Sequence, residues 1–229
     1  MEDKLCVKIE LTDTKPSIFE SKAGGIGYIP HDGDFPTDKN GEQLRLLAQI
    51  DCSEVDLEEF PEKGLLQFWV INDDTAGLAD GQTVQNGFRV IYYPKIDKSV
   101  TEKEIKGKFV KNQYDDDEYN GFPVFGEYGM TFTKMVNNST NDKGDYDKYY
   151  DEYIGHKIGG YPYFTQFDPR EYHEELQKYD FLLFQLDSDY GENDDRVMWG
   201  DSGIGNFFIK TENLKNCDFS DVLYNWDCC

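Results

Sequence analysis

Positive charge is scarce in this chain. Its 23 lysines and arginines face 46 aspartates and glutamates, for a net charge of −23 and a pI near 4.3. Such a field repels polyphosphate and anionic lipid, which argues against nucleic acid or a membrane surface as partner. Histidine is rarer still at three residues, His31, His156 and His173, so a histidine-rich metal centre has no ligand set. Nowhere does an apolar run approach the ~18 residues of a membrane-spanning helix. The opening MEDKLCVKIELTDTKPSIFE shows no basic start followed by an apolar stretch, so no secretory signal is expected. Cys6, Cys52, Cys217, Cys228 and Cys229 are an odd set without a C-x-x-C spacing. That pattern fits reduced thiols and a cytoplasmic location better than a disulfide framework. The final Cys228-Cys229 pair lacks the polybasic companion that lipid anchoring normally needs.

Aromatic residues, by contrast, are plentiful at 15% of the chain, which excludes an acidic disordered chain. At 229 residues a sizeable core can be buried without disulfides or metals. One domain is expected over residues 1–229.

Three blocks recur in the same order at a nearly constant separation. KAGGIGYIP from Lys22 returns as KIGGYPYFT from Lys157, LLAQIDCS from Leu46 as LLFQLDSD from Leu182, and GLLQFWV from Gly64 as GIGNFFI from Gly203. The pattern predicts an internally duplicated unit, with halves at about 22–93 and 157–227 related by a pseudo-twofold. Near-continuous apolar letters in RLLAQIDC, FLLFQLDS, LLQFWVI and NFFI predict central strands covered on both faces. LCVKIEL, FRVIYY and GMTFTKMV add further strands. The clearest helix signal is DPREYHEELQKY, with Asp168 as N-cap, Pro169 at the first helical position, Glu171 closing a capping box and an end near Tyr179. SVTEKEIK and YDKYYDEY are expected as shorter helices, and NQYDDDEYNGFP and VNNSTNDKGD as loops. The resulting fold class is α+β, rich in β, with short helices around the central strands.

These blocks, together with IPHDGDFPTDKNG, MWGDSGIGNFFI and DFSDVLYNWDC, resemble the bacterial YwqG-like family, a domain of unknown function. The resemblance implies an internally duplicated α+β fold. It carries no established catalytic residue onto this chain.

Gly200-Asp201-Ser202-Gly203 repeats the letters around a serine-protease nucleophile. A nucleophilic serine needs a base within reach and oxyanion donors beside it. Ile204 stands where either glycine-rich elbow requires glycine, and Ser202 falls where the first half has Lys63. GDSG therefore reads as a turn, and no catalytic residue is assigned. The DSDYGENDDRVM stretch places Asp187 and Asp189 as in a calcium loop, but Glu192 replaces the required glycine and Met198 the bidentate glutamate. The glycine pairs lack the partners of a phosphate or dinucleotide loop, so no cofactor is expected.

The repeated Gln-Ile/Leu-Asp sets Gln49 and Gln185 in apolar strands, where a buried amide must find partners for both ends. They could pair structurally, or floor a cleft with Asp51, Asp187, Tyr28, Tyr163, Trp69, Trp199, Asp201 and Ser202 that takes a sugar-like solute. The leading functional expectation is a non-catalytic protein that binds a basic protein partner through its acidic surface, as an immunity-like inhibitor would. The alternatives are a small-molecule-binding or hydrolytic protein using the cleft, and a calcium binder.

Overall fold

The computed structural model describes residues 2–110, 121–138, 153–191 and 194–228. Twelve strands are present: β1 (Lys4–Thr12), β2 (Lys22–Gly24), β3 (Arg45–Asp51), β4 (Leu65–Val70), β5 (Phe88–Tyr93), β6 (Glu127–Asn137), β7 (His156–Gly159), β8 (Phe181–Asp187), β9 (Asp189–Tyr190), β10 (Asp195–Val197), β11 (Ile204–Ile209) and β12 (Val222–Asp227). Ten of them form one sheet in the order β12-β11-β8-β7-β1-β6-β2-β3-β4-β5, and β9 pairs with β10. All registered pairings in the large sheet are antiparallel.

The expected α+β class is corrected by this sheet. Strand accounts for 36% and helix for 10%, and α-helices fully within the described residues are short pieces at Glu102–Lys106, Pro169–Tyr172 and Thr211–Lys215. One continuous sheet runs through the residues of both expected halves. The physical reason is visible in the predicted helix at Pro169. Asp168 does cap it, accepting from the Arg170 amide at 2.9 Å. The same carboxylate also takes the Arg170 guanidinium, and His173 turns extended at φ −127° and ψ 104°. With Glu171 through Glu175 all exposed, no apolar stripe holds a longer helix to the sheet. The expected short helix in SVTEKEIK forms at Glu102–Lys106, with Thr101 as its cap through the Glu104 amide. YDKYYDEY and the two expected loops lie wholly or mostly outside the described residues.

The sheet curls until its ends meet. Inward-facing side chains of all ten strands, from Val7 and Ile9 on β1 to Val222 and Tyr224 on β12, join one hydrophobic cluster. Across its middle, Phe68 stacks on Phe184 at 4.7 Å and touches Phe207 at 4.9 Å, while Phe207 stacks on Tyr224 at 4.4 Å. The β4–β5 connection then reaches over to β12. The Gln82 carbonyl accepts from the Tyr224 amide at 2.8 Å, and the carbonyls of Ala76 and Thr75 accept from the Tyr224 hydroxyl and the Trp226 indole. Outside the curl, a second apolar cluster with Tyr28, Leu46, Leu65 and Trp69 covers the first half. A smaller one with Tyr179, Leu182, Phe208 and Leu223 covers the second. Both strand faces are thus buried, which explains the near-continuous apolar runs. No helix among the described residues is long and apolar enough to cross a membrane.

Truncating Phe207, which touches both ends of the sheet, should remove this closure at its centre. Phe207→Ala is expected to cost about 3–5 kcal/mol, whereas Tyr172→Ala, 69% exposed, should stay within about 0.5 kcal/mol. Urea unfolding of the two variants against the parent measures both.

Candidate functional site

Two loops and four strand amides organise the outer faces. In the first half the Tyr28 amide donates to Gln49 Oε1 at 2.8 Å, and the Tyr28 carbonyl accepts from Gln67 Nε2 at 2.7 Å. In the second half the Tyr163 amide donates to Gln185 Oε1 at 2.8 Å, and its carbonyl accepts from Asn206 Nδ2 at 2.8 Å. Each tyrosine main chain is therefore held as if by a neighbouring strand, but by side chains. The remaining bonds of the glutamines are equally committed. Gln49 Nε2 donates to the carbonyls of Ile18 and Glu20, and Gln185 Nε2 to those of Tyr153 and Gly155. All four amides are fully buried.

The glycine pairs set up these clamps. Gly24 and Gly25 both adopt φ +66°, and Gly159 and Gly160 both adopt φ +74°. A Cβ on Gly24 would stand 2.1 Å from the Gly126 carbonyl oxygen, so only glycine fits there. Gln49 and Gln185 do not meet. They lie on strands separated by β7, β1, β6 and β2 in the sheet, each beneath its own loop on the face away from the shared core.

The other expected site residues are distributed around these clamps. Asp51 caps the Cys52–Glu54 turn, accepting from the Ser53 amide. Asp187 accepts from the amides of Gly155 and Ser188, and burial pushes its carboxyl above the usual range. Trp69 lies in the outer cluster and donates to Gln67 Oε1 at 3.0 Å. Trp199 lies in the inner core, stacked on Trp226 at 6.0 Å. Its indole covers Gly205, where a Cβ would come within 2.4 Å of the ring. Asp201 and Ser202 are exposed. Ser202 sits at φ +88° in a turn closed by the Gly203 amide on the Trp199 carbonyl at 2.7 Å. Its hydroxyl bonds to that of Tyr190.

His156 is engaged at both ring nitrogens. The Asp187 amide donates to Nδ1 at 3.0 Å, which fixes the proton on Nε2, and Nε2 donates to Asp189 at 3.0 Å. Arg196 joins Asp189 to Asp13. The His156 bond, before all else, holds the Asp189 carboxyl below its ordinary range. Asp187 and Asp189 thus serve different donors, and among the described residues no group of three His, Cys, Asp or Glu side chains could hold a metal ion.

Two buried lysines precede the glycine pairs. Lys22 has no exposed surface and donates to Glu127 at 2.7 Å and to the Ile26 carbonyl; burial lowers its pKa against the pull of Glu127. Lys157, 3% exposed, donates to the Tyr153 carbonyl at 2.7 Å. Burial, partly offset by Cys6 and Asp187, brings it down to about 8.

Sequence reasoning passed over Gln67, Asn206 and these lysines. The signal was there: a polar letter interrupts GLLQFW and GIGNFF at the same place, and Lys opens both KAGG and KIGG.

Fold and site together define a curled antiparallel β-sheet protein whose buried amides fasten surface loops. The chain belongs to the family described as Domain of unknown function (DUF1963), whose model matches residues 21–228. A search of curated protein sequences finds no match.

Lys157 makes stability pH-dependent in a predictable direction. Between pH about 8 and 10.5 the unfolded chain keeps a proton on this lysine that the folded chain has lost. Stability therefore rises with pH across that window, by about 3 kcal/mol at ~1.4 kcal/mol per pKa unit. Lys157→Met should abolish the rise, which denaturant titrations of both proteins at pH 7, 9 and 10.5 will read as a difference.

Proposed function

We propose that this YwqG-like protein is a non-catalytic binder of a cationic protein partner, working in the reducing cytoplasm. The observation that carries the reading is the net charge of −23 on a chain whose interior polar groups are largely spent on its own fold. Gln49, Gln67 and Gln185 face loop backbone, Asp51 and Asp187 hold turns, and His156 uses both ring nitrogens internally. Ser202 has the Tyr190 hydroxyl beside it rather than a base. What is left for recognition is the surface field, which accelerates encounter with positive partners and rejects polyanions. Free thiols at Cys6, Cys52 and Cys217 fit a reducing compartment.

Calorimetric titration with a lysine-rich decapeptide tests this. Binding at low ionic strength should weaken at least tenfold from ~20 to ~200 mM salt, as the Debye length shrinks. Equal affinity at both salts, or no binding at either, would contradict the reading.

A further inference from the structure

The two ends of the curled sheet meet without joining, and the notch between them runs along a strand edge. β5 is a terminal strand of the sheet. Its Val90 amide points away from β4, because it donates to Gln85 Oε1 at 2.8 Å. Antiparallel alternation then turns the Tyr92 amide and the Val90 carbonyl the same way. Among the described residues nothing bonds to either of them.

Beside this edge lies a cavity of ≈ 440 Å³ lined by Arg89, Val90, Ile91, Tyr92, Cys217 and Phe219. Four consecutive strand residues line it. Arg89 and Ile91 face outward, whereas Val90 and Tyr92 face the core, so the cavity follows the backbone edge rather than either face. Its far wall is the turn before β12. Gln85 Nε2 fastens that turn through the Phe219 carbonyl at 2.8 Å, and the Phe219 ring lies 5.4 Å from that of Tyr92. Exposed edges are normally blunted by proline, a bulge or a covering loop. Here proline arrives only at Pro94, after the strand, and the β4–β5 connection crosses to β12, meeting the outer edge of β5 through the Gln85 side chain at Val90.

We propose that this notch takes an extended peptide segment of the partner as an added strand on β5. Unpaired main-chain donors and acceptors recognise another backbone, and four residues at ~3.3 Å each give about 13 Å of edge. That the segment comes from a basic protein rests on the function proposed above, since a field of −23 enriches cationic chains near any open edge.

Cys217 is exposed in the wall, whereas Cys6 and Cys52 are buried. Its alkylation by N-ethylmaleimide, followed by peptide mapping, therefore reports occupancy. The probes are a decapeptide alternating lysine and valine, a neutral one alternating threonine and valine, and two forms of the first, N-methylated on odd or on even residues. Amide exchange at Tyr92 is followed in parallel.

The lysine–valine peptide should slow Cys217 alkylation and Tyr92 exchange at least tenfold. One methylation register should keep that protection and the other abolish it, because only alternate amides of an added strand face β5. Salt-sensitive binding that leaves Cys217 and Tyr92 unprotected would overturn the groove while leaving the cationic-partner reading intact. Protection by the neutral peptide equal to that by the lysine peptide would keep the groove and overturn that reading. Protection that grows with protein concentration alone would assign the edge to a second copy and overturn the proposal, as would protection indifferent to N-methylation.

Discussion

The constraint on which the rest of this structure depends is that a buried amide must be fully paired. Placing glutamine in the middle of an apolar strand would cost about 1–3 kcal/mol for each group left without a partner. The chain meets that demand at Gln49, Gln67 and Gln185, and at the Asn206 NH2, by bringing a loop to it. Gln49 and Gln67 grip the main chain of Tyr28, and Gln185 and Asn206 grip that of Tyr163. A loop held at both N–H and C=O becomes a cover for the outer face, allowing an apolar layer to form beneath it. The curled sheet can then be buried on two sides without long helices.

The two grips are not identical, and the differences follow from single residues. Trp69 donates its indole N–H to Gln67, but Phe208, packed in the matching outer layer of the second half, has no N–H to give. Asn206 Oδ1 accordingly has no bond, although it is buried. Glu127 neutralises Lys22, whereas Lys157 has a carbonyl for its direct partner and a lowered pKa. The second half therefore carries more uncompensated polarity. The one buried histidine, His156, is fixed in a single tautomer by the Asp187 backbone amide. In the function proposed above, recognition falls to the exterior, where charge would act at long range and the unjoined sheet edge at contact.

Most central strands were legible, because near-unbroken apolar runs such as LLAQI and FLLFQ have no other stable home than a strand covered on both faces. Short β2 and β7 were not, since KAG and HKIG lack an apolar pattern and become strands only through their neighbours. The helix at Pro169 had correct start signals, yet start signals do not supply an apolar face, and it stops at Tyr172. The repeated Gln was rightly singled out as a polar group needing partners, but its partners could not be read from sequence. They are main-chain atoms of loops far along the chain, and a backbone amide leaves no mark in the amino-acid letters. Equally hidden was the meeting of β5 and β12, which depends on the curvature of the whole sheet and not on any local motif.

Native-state hydrogen exchange at the amides of Tyr28 and Tyr163 tests the central claim most directly. Both bonds end on fully buried side-chain oxygens, so both amides should exchange only by global unfolding, with the protection of core amides such as that of Phe68. Exchange of either amide orders of magnitude faster than the core, in a folded protein, would mean that the amide grips do not hold the loops and would contradict the account.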